Sequence, residues 1–224
     1  MNSCMSSNKH RREVVPASPP RPPAIFTADS LGLDFLNSVA TPLDREVDWI
    51  DSGEGLLSWL KQARLVPLEA LEALRAQAIP GELDSVAAQA RSLREWFRAF
   101  VHDHRGRLLF AQDLEALAPL NRLLEGDDMF GRIVAHPAGD ATGLELRTLR
   151  RWRSPEALLL PIAEALAKFV SEEDFSKVKA CEGRPCTLLF LDQTRGRRRR
   201  WCSMAICGNR AKQAAHRRRL KAKH

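Results

Sequence analysis

Apolar residues recur along this chain with two different periods, and the change from one to the other divides it into elements. Leu31, Phe35 and Leu36 share one helical face, with Asp29 or Ser30 placed to cap the first turn, so the spacing predicts a short helix ending near Ala40. Asp51 or Ser52 precedes GEGLLSWLKQARLV, where Leu56, Leu57 and Leu60 fall at helical spacing, and Pro67 pre-sets the start of LEALEALRAQA. From Glu82 to about His104 a single stripe carries Val86, Ala90, Leu93, Phe97 and Val101, with Arg91, Arg94, Glu95 and Arg98 mostly outside it. This is the longest expected helix. FAQDLEALAPLNRLLEG is helical up to Gly126, kinked or divided at Pro119. Between Gly131 and Arg153 the period shortens to two, so a small β-hairpin near 132–150 is expected, turning at HPAGDATG. Ser154 then caps PEALLLPIAEALAKFVS, with Pro155 at the first helical position, Pro161 perturbing the middle and an end near Ser171.

Composition narrows the class. Of 224 residues 44% are hydrophobic and 28% charged, values of an ordinary globular protein, and no run approaches the ~18 apolar residues of a membrane span. Residues 1–24 are rich in Pro, Ser and Arg and read as a disordered leader carrying an incidental thiol, Cys4. They lack the apolar stretch of a secretory signal, so the expected compartment is the cytoplasm. The net charge is +7, but Arg195–His224 holds twelve Lys/Arg and no carboxylate, which leaves −5 on everything before it. A segregated cationic block is suited to a polyanion, whose condensed counterions it releases. A solvated tail that only confers solubility is the bland alternative.

The block contains a second signal. Cys181, Cys186, Cys202 and Cys207 are spaced C-x4-C-x15-C-x4-C, as two short loops would be that bring four thiolates to one tetrahedral zinc ion. Four buried thiols, disulfides and an iron–sulfur cluster are the competing readings; zinc leads because so charged a segment cannot build a sufficient core alone. Four ligands close the coordination sphere, so the metal is expected to be structural. TLLFLD and RRRRW are expected as the two strands between the loops, making a zinc-ribbon-like Cys4 domain over 178–224. Asn209 can cap a basic helix from Arg210 to about Arg219. Nucleic-acid contacts are assigned to Arg195, Arg197, Arg198, Arg199, Arg200, Arg210, Lys212, Arg217, Arg218 and Arg219, with bracing of the zinc loop as the alternative role of Arg210. Trp201 and Phe190 are read as a mini-core beside the metal rather than as base-stacking rings.

From Cys181 to Arg219, CEGRPCTLLFLDQTRGRRRRWCSMAICGNRAKQAAHRRR resembles the CGNR zinc-finger family, whose signature stands here as Cys207-Gly208-Asn209-Arg210. SLGLDFLNSVA and the helices and hairpin after it look like the ABATE domain that usually precedes this finger in bacterial proteins. The resemblance implies a stress-linked transcription regulator that binds DNA through its finger, with Cys181, Cys186, Cys202 and Cys207 as zinc ligands. Pro185, before the second cysteine, departs from the pattern.

The expected architecture is therefore mainly α with a small β-hairpin over 25–171, a candidate sensing or partner-binding domain, followed by the Cys4 finger. Asp34 and Asn37 interrupt the first helix's apolar pattern and are read as packing or capping groups. His102, Asp103 and His104 point in different directions on a helix and read as a solvated end rather than a metal site. No G-x-S-x-G, H-E-x-x-H or phosphate-cradling glycine loop occurs, so an enzyme is not expected. DNA is the leading partner; RNA, the ribosome or an acidic protein surface would use the same cations, and a homo-oligomer is compatible with the sequence.

Overall fold

The computed structural model describes residues 22–41, 45–135 and 143–221, so most of the leader, Cys4 and the tip of the expected hairpin lie outside the described residues. Helices dominate. Helix α1 (Leu31–Leu36) is followed by two short paired strands, β1 (Val39–Ala40) and β2 (Val47–Asp48), then by α2 (Gly53–Ala63), α3 (Leu68–Gln77) and the long α4 (Glu82–His104). A 3-10 turn at Ala111–Leu117 leads into α5 (Ala118–Glu125), and Pro119 sits in the first turn of α5, where its missing N–H costs nothing. The hairpin consists of β3 (Met129–Ala135) and β4 (Leu144–Arg150), paired Met129↔Arg150 through Ala135↔Leu144. A second 3-10 turn, Pro155–Leu158, precedes α6 (Leu159–Glu172), so Pro161 also falls within a first turn instead of a helix middle.

The core forms where α1, α4 and α6 meet. Phe97 of α4 meets Phe169 of α6 edge-on at 6.0 Å, and Phe169 meets Phe175, just beyond α6, at 4.8 Å. On the other side of α1, Phe35 packs edge-on against Trp59 of α2 at 5.6 Å. The approach of α1 to α6 needs a glycine: a Cβ on Gly32 would lie 2.6 Å from Cβ of Phe169. The hairpin is tied down through Arg150, whose guanidinium binds Asp127 and Glu164 of α6. Its outer face stays open, with Ile133, Leu144 and Leu146 exposed.

Three expectations are corrected. Helix α1 stops at Leu36, short of Ala40, because Val39 and Ala40 leave the helix to pair with Asp48 and Val47. Arg94, expected outside the α4 stripe, is only 3% exposed: its guanidinium takes both oxygens of Asp48 at 2.9 and 2.8 Å and donates to Ser38 Oγ. Its neighbours Arg91 and Arg98 donate to the carbonyls of Ile50 and Leu36, so one arginine face of α4 satisfies polar groups of the segment from α1 to α2. His104, expected in solvent, stacks on Phe100 at 4.1 Å with Nδ1 against the Phe100 carbonyl, whereas His102 and Asp103 are exposed.

After α6 a 3-10 turn at Phe175–Lys177 delivers β5 (Val178–Ala180), which pairs antiparallel with β6 (Leu189–Leu191). The expected pairing of TLLFLD with RRRRW is not what forms. Arg197 adopts φ +47°, and the returning chain is held by a side chain, Asp192 accepting from Arg199 N, instead of by a strand ladder. The other edge of β6 faces the helical part. Leu189 N donates to Asn37 Oδ1 at 2.9 Å, Asn37 Nδ2 donates to Leu189 O at 2.8 Å, and Leu191 N donates to the Ala28 carbonyl. One side-chain amide thus does the work of a neighbouring strand residue. Replacing Asn37 by Ala leaves both groups of Leu189 unpaired, and a loss of about 2–3 kcal/mol is expected in urea denaturation, with Asn37→Ser recovering part of it.

Candidate metal centre and basic surface

Two loops carry the cysteines. The first follows β5: Cys181 N donates to the Leu188 carbonyl, and the chain turns so that Cys186 N reaches the Gly183 carbonyl. The second is capped by Ser203, whose Oγ accepts from Ile206 N and whose carbonyl accepts from the N–H groups of Cys207 and Gly208. It winds through one wide turn, Met204–Gly208, directly into α7 (Asn209–Lys221).

The four sulfurs lie within 4.8 Å of one another, with Cys186 and Cys202 at 3.9 Å. A regular tetrahedron of sulfurs at ~2.3 Å from a metal has edges of about 3.8 Å, so the set needs only a small contraction to hold zinc. Its surroundings suit thiolates. Gly183 N and Cys202 N point at Cys181 Sγ, at 3.4 and 3.3 Å, and Arg210 donates to Cys207 Sγ at 3.3 Å. Hydrogen bonds from Cys186 and Cys202 pull the Cys181 thiol well below its usual range, while the same sharing pushes Cys186 up to about 12 and Cys202 higher still. Sulfurs this close cannot all ionise alone; a divalent cation is what allows four thiolates together. Cys202 and Cys207 are buried and belong to the hydrophobic core that continues from the helical part. Gly183 is required for closure, since its Cβ would meet Cβ and Sγ of Cys207 at 2.9 and 3.0 Å.

Asp192 is buried just beyond the end of β6. Burial would raise its carboxyl, but Lys179 at 2.7 Å and the hydroxyl and N–H of Thr194 outweigh that and hold it down to about 2. Asp34 is the opposite case. Its Oδ1 accepts from Thr27 N and Ala28 N, fixing the segment against which β6 docks, yet burial dominates and pushes it up to about 6.

The ten expected nucleic-acid contacts separate into two groups. Arg199 is the clearest correction. Its guanidinium pairs with Asp29, donates to the carbonyls of Thr27, Leu191, Trp201 and Cys202, and lies 4.3 Å over the Phe190 ring, so it clamps the finger to the helical part. Arg197 reaches Asp174 and Ser176, Arg200 pairs with Glu182, and Arg210 braces Cys207, its alternative role. The second group comprises Arg195, Arg198, Lys212, Arg217, Arg218 and Arg219. All six are exposed, and their charged groups have no ion-pair partner among the described residues. Phe190 is fully buried and Trp201 half-buried, as a mini-core requires. The sequence reading missed Asp192, Gly183, Lys179 and Ser203; only LFLD, an aspartate closing an apolar run, carried a visible signal.

Two family models match the chain. The ABATE family model, described as "Putative stress-induced transcription regulator", matches residues 29–173, and the CGNR zinc-finger model matches residues 177–220. No curated protein matches. The clustered cysteines and the finger match together establish one structural zinc ion, whose chemistry is to cross-link the two loops with no coordination position left for water. No helix among the described residues is long and apolar enough to cross a membrane.

Two outcomes are expected here. Gly183→Ala displaces Cys207 and lowers zinc affinity about 10- to 100-fold in competition against a chromophoric chelator, with far-ultraviolet circular dichroism of the helices unchanged. For Asp34, the folded state holds a proton between about pH 4 and 6 that the unfolded state has released, so this group's contribution to stability falls as pH rises through that window. Asp34→Asn keeps the Oδ1 acceptor and removes the titration. Relative to the parent it should gain about 1–2 kcal/mol between about pH 5 and 7.5 in urea melts.

Proposed function

The chain belongs to the ABATE family and ends in a CGNR zinc finger, and from that premise we propose that it is a DNA-binding transcription regulator. The finger supplies the contact with DNA, and the helical part supplies sensing or partner binding; the protein acts by binding and not as an enzyme.

The observation that carries this reading is α7. Thirteen residues long, it buries none of them. It has six cations and no carboxylate, and Leu220 is half exposed. A helix without a packed face gains little from tertiary burial and is maintained here from its first turn, which runs on from the Cys207 loop. Such a rod fits the width of a major groove or the line of a phosphate backbone. Lys212, Arg217, Arg218 and Arg219 then position the protein on the duplex, with Arg195 and Arg198 extending the same charge from the turn after β6. Arginines 218 and 219 and Lys221 also lie at the helix C-terminus, where the dipole favours cations even before DNA is met.

With six phosphates neutralised, affinity of the zinc-loaded protein for a mixed-sequence duplex should fall about a thousandfold between roughly 50 and 200 mM salt, read by fluorescence anisotropy. The double substitution Arg217→Gln and Arg219→Gln should lower the logarithmic salt slope by about two while zinc content stays unchanged. Absence of binding at both salts, or a slope unmoved by the double substitution, would remove α7 from the interface.

A further inference from the structure

Where the start of the helical part meets the finger, the surface opens into a cleft of about 690 Å³ between residues 27–29 and 194–204. That volume lies within the range of small-molecule sites, and the walls are mostly apolar, with the Trp201 ring and the Met204 side chain among them. Neither the zinc site nor the contact proposed for α7 requires such a space.

Its polar groups show a defined imbalance. Arg199 and Asp29 neutralise one another across the cleft, and Arg200 is paired with Glu182 while lying 5.2 Å over the Trp201 ring. Arg198 is left over: its guanidinium lines the cleft, is exposed, and has no partner among the described residues.

From one free guanidinium, an indole face and apolar walls, we infer that this cleft binds a small monoanionic carboxylate with a flat aromatic body. The carboxylate takes the fork of Arg198, in the geometry that guanidinium prefers. The ring lies along Trp201 and Met204. A phosphate dianion fits less well, because a single uncommitted cation leaves its second charge unbalanced in a mostly apolar space. The ligand would touch both the helical part and the finger, and so would stabilise their docked arrangement by mass action.

The test uses 2-naphthoate, whose own fluorescence reports binding by anisotropy, with zinc-loaded full-length protein. Saturable one-to-one binding is expected. Neutral 2-naphthamide and the Arg198→Gln variant should each bind at least about tenfold more weakly. Arg198 is exposed, so its variant is checked for unchanged zinc content and helicity before titration. Naphthoate binding that is absent, equal in Arg198→Gln, matched by naphthamide, or displaced by equimolar inorganic phosphate would overturn the assignment. Titration requires no nucleic acid, so failure here and failure of duplex binding are read separately, although Arg198 is shared between the two surfaces.

Discussion

A three-residue strand with both edges satisfied holds this molecule together. Along β6 the backbone groups alternate in direction. The Leu188 carbonyl and the Asp192 amide turn toward the β5 segment, while Leu189 and Leu191 turn toward the helical part. A two-stranded ribbon this short is marginal by itself in water. Here Asn37 and Ala28 complete its open edge, and Leu189–Leu191 enter the same hydrophobic core as α1, α4 and α6. The first zinc loop joins β5 to β6, and the chain leaving β6 returns to set the second beside it, so the position of the metal is set by contacts made some 150 residues earlier in the chain.

The charge of the C-terminal region divides along the same line. Arginines whose backbone lies against the helical part turn inward: Arg199 bridges two segments and covers Phe190, and Arg197 binds Asp174. Arg195 and Arg198 on the turn after β6, and Lys212, Arg217, Arg218 and Arg219 along α7, have no ion-pair partner among the described residues and remain with solvent. The inward group supplies cohesion, since a guanidinium can satisfy several carbonyls at once and stack on a ring. The outward group supplies the field that a polyanion would meet. A net charge reports only the sum of the two.

Buried acids show how such contacts are tuned. Asp192 and Asp34 are nearly equally hidden, yet one is held ionised by a lysine and by Thr194, and the other, with two backbone donors and no cation, is pushed toward the neutral form. The same residue type therefore acts as a charged hub in the finger and as a titrating anchor under Thr27 and Ala28. Which behaviour results depends on whether a cation is packed beside it.

Local chemistry was legible in the sequence. Helical stripes such as Val86 to Val101, the alternation on either side of the hairpin tip, and prolines at first-turn positions express steric preferences of a few neighbouring residues. C-x4-C-x15-C-x4-C likewise encodes two loops because ligand spacing follows from the reach of a short turn. The structure alone decided how these pieces meet. That Asn37 stands in for a strand, that Arg94 is buried against Asp48, that β6 pairs backwards with β5 instead of with RRRRW, and that Arg199 is a clamp are all contacts between residues far apart in the chain. An arginine carries the same charge and reach wherever it stands. Whether it faces a carbonyl, a ring or water is fixed by what folding brings beside it, and a single sequence position holds no record of that.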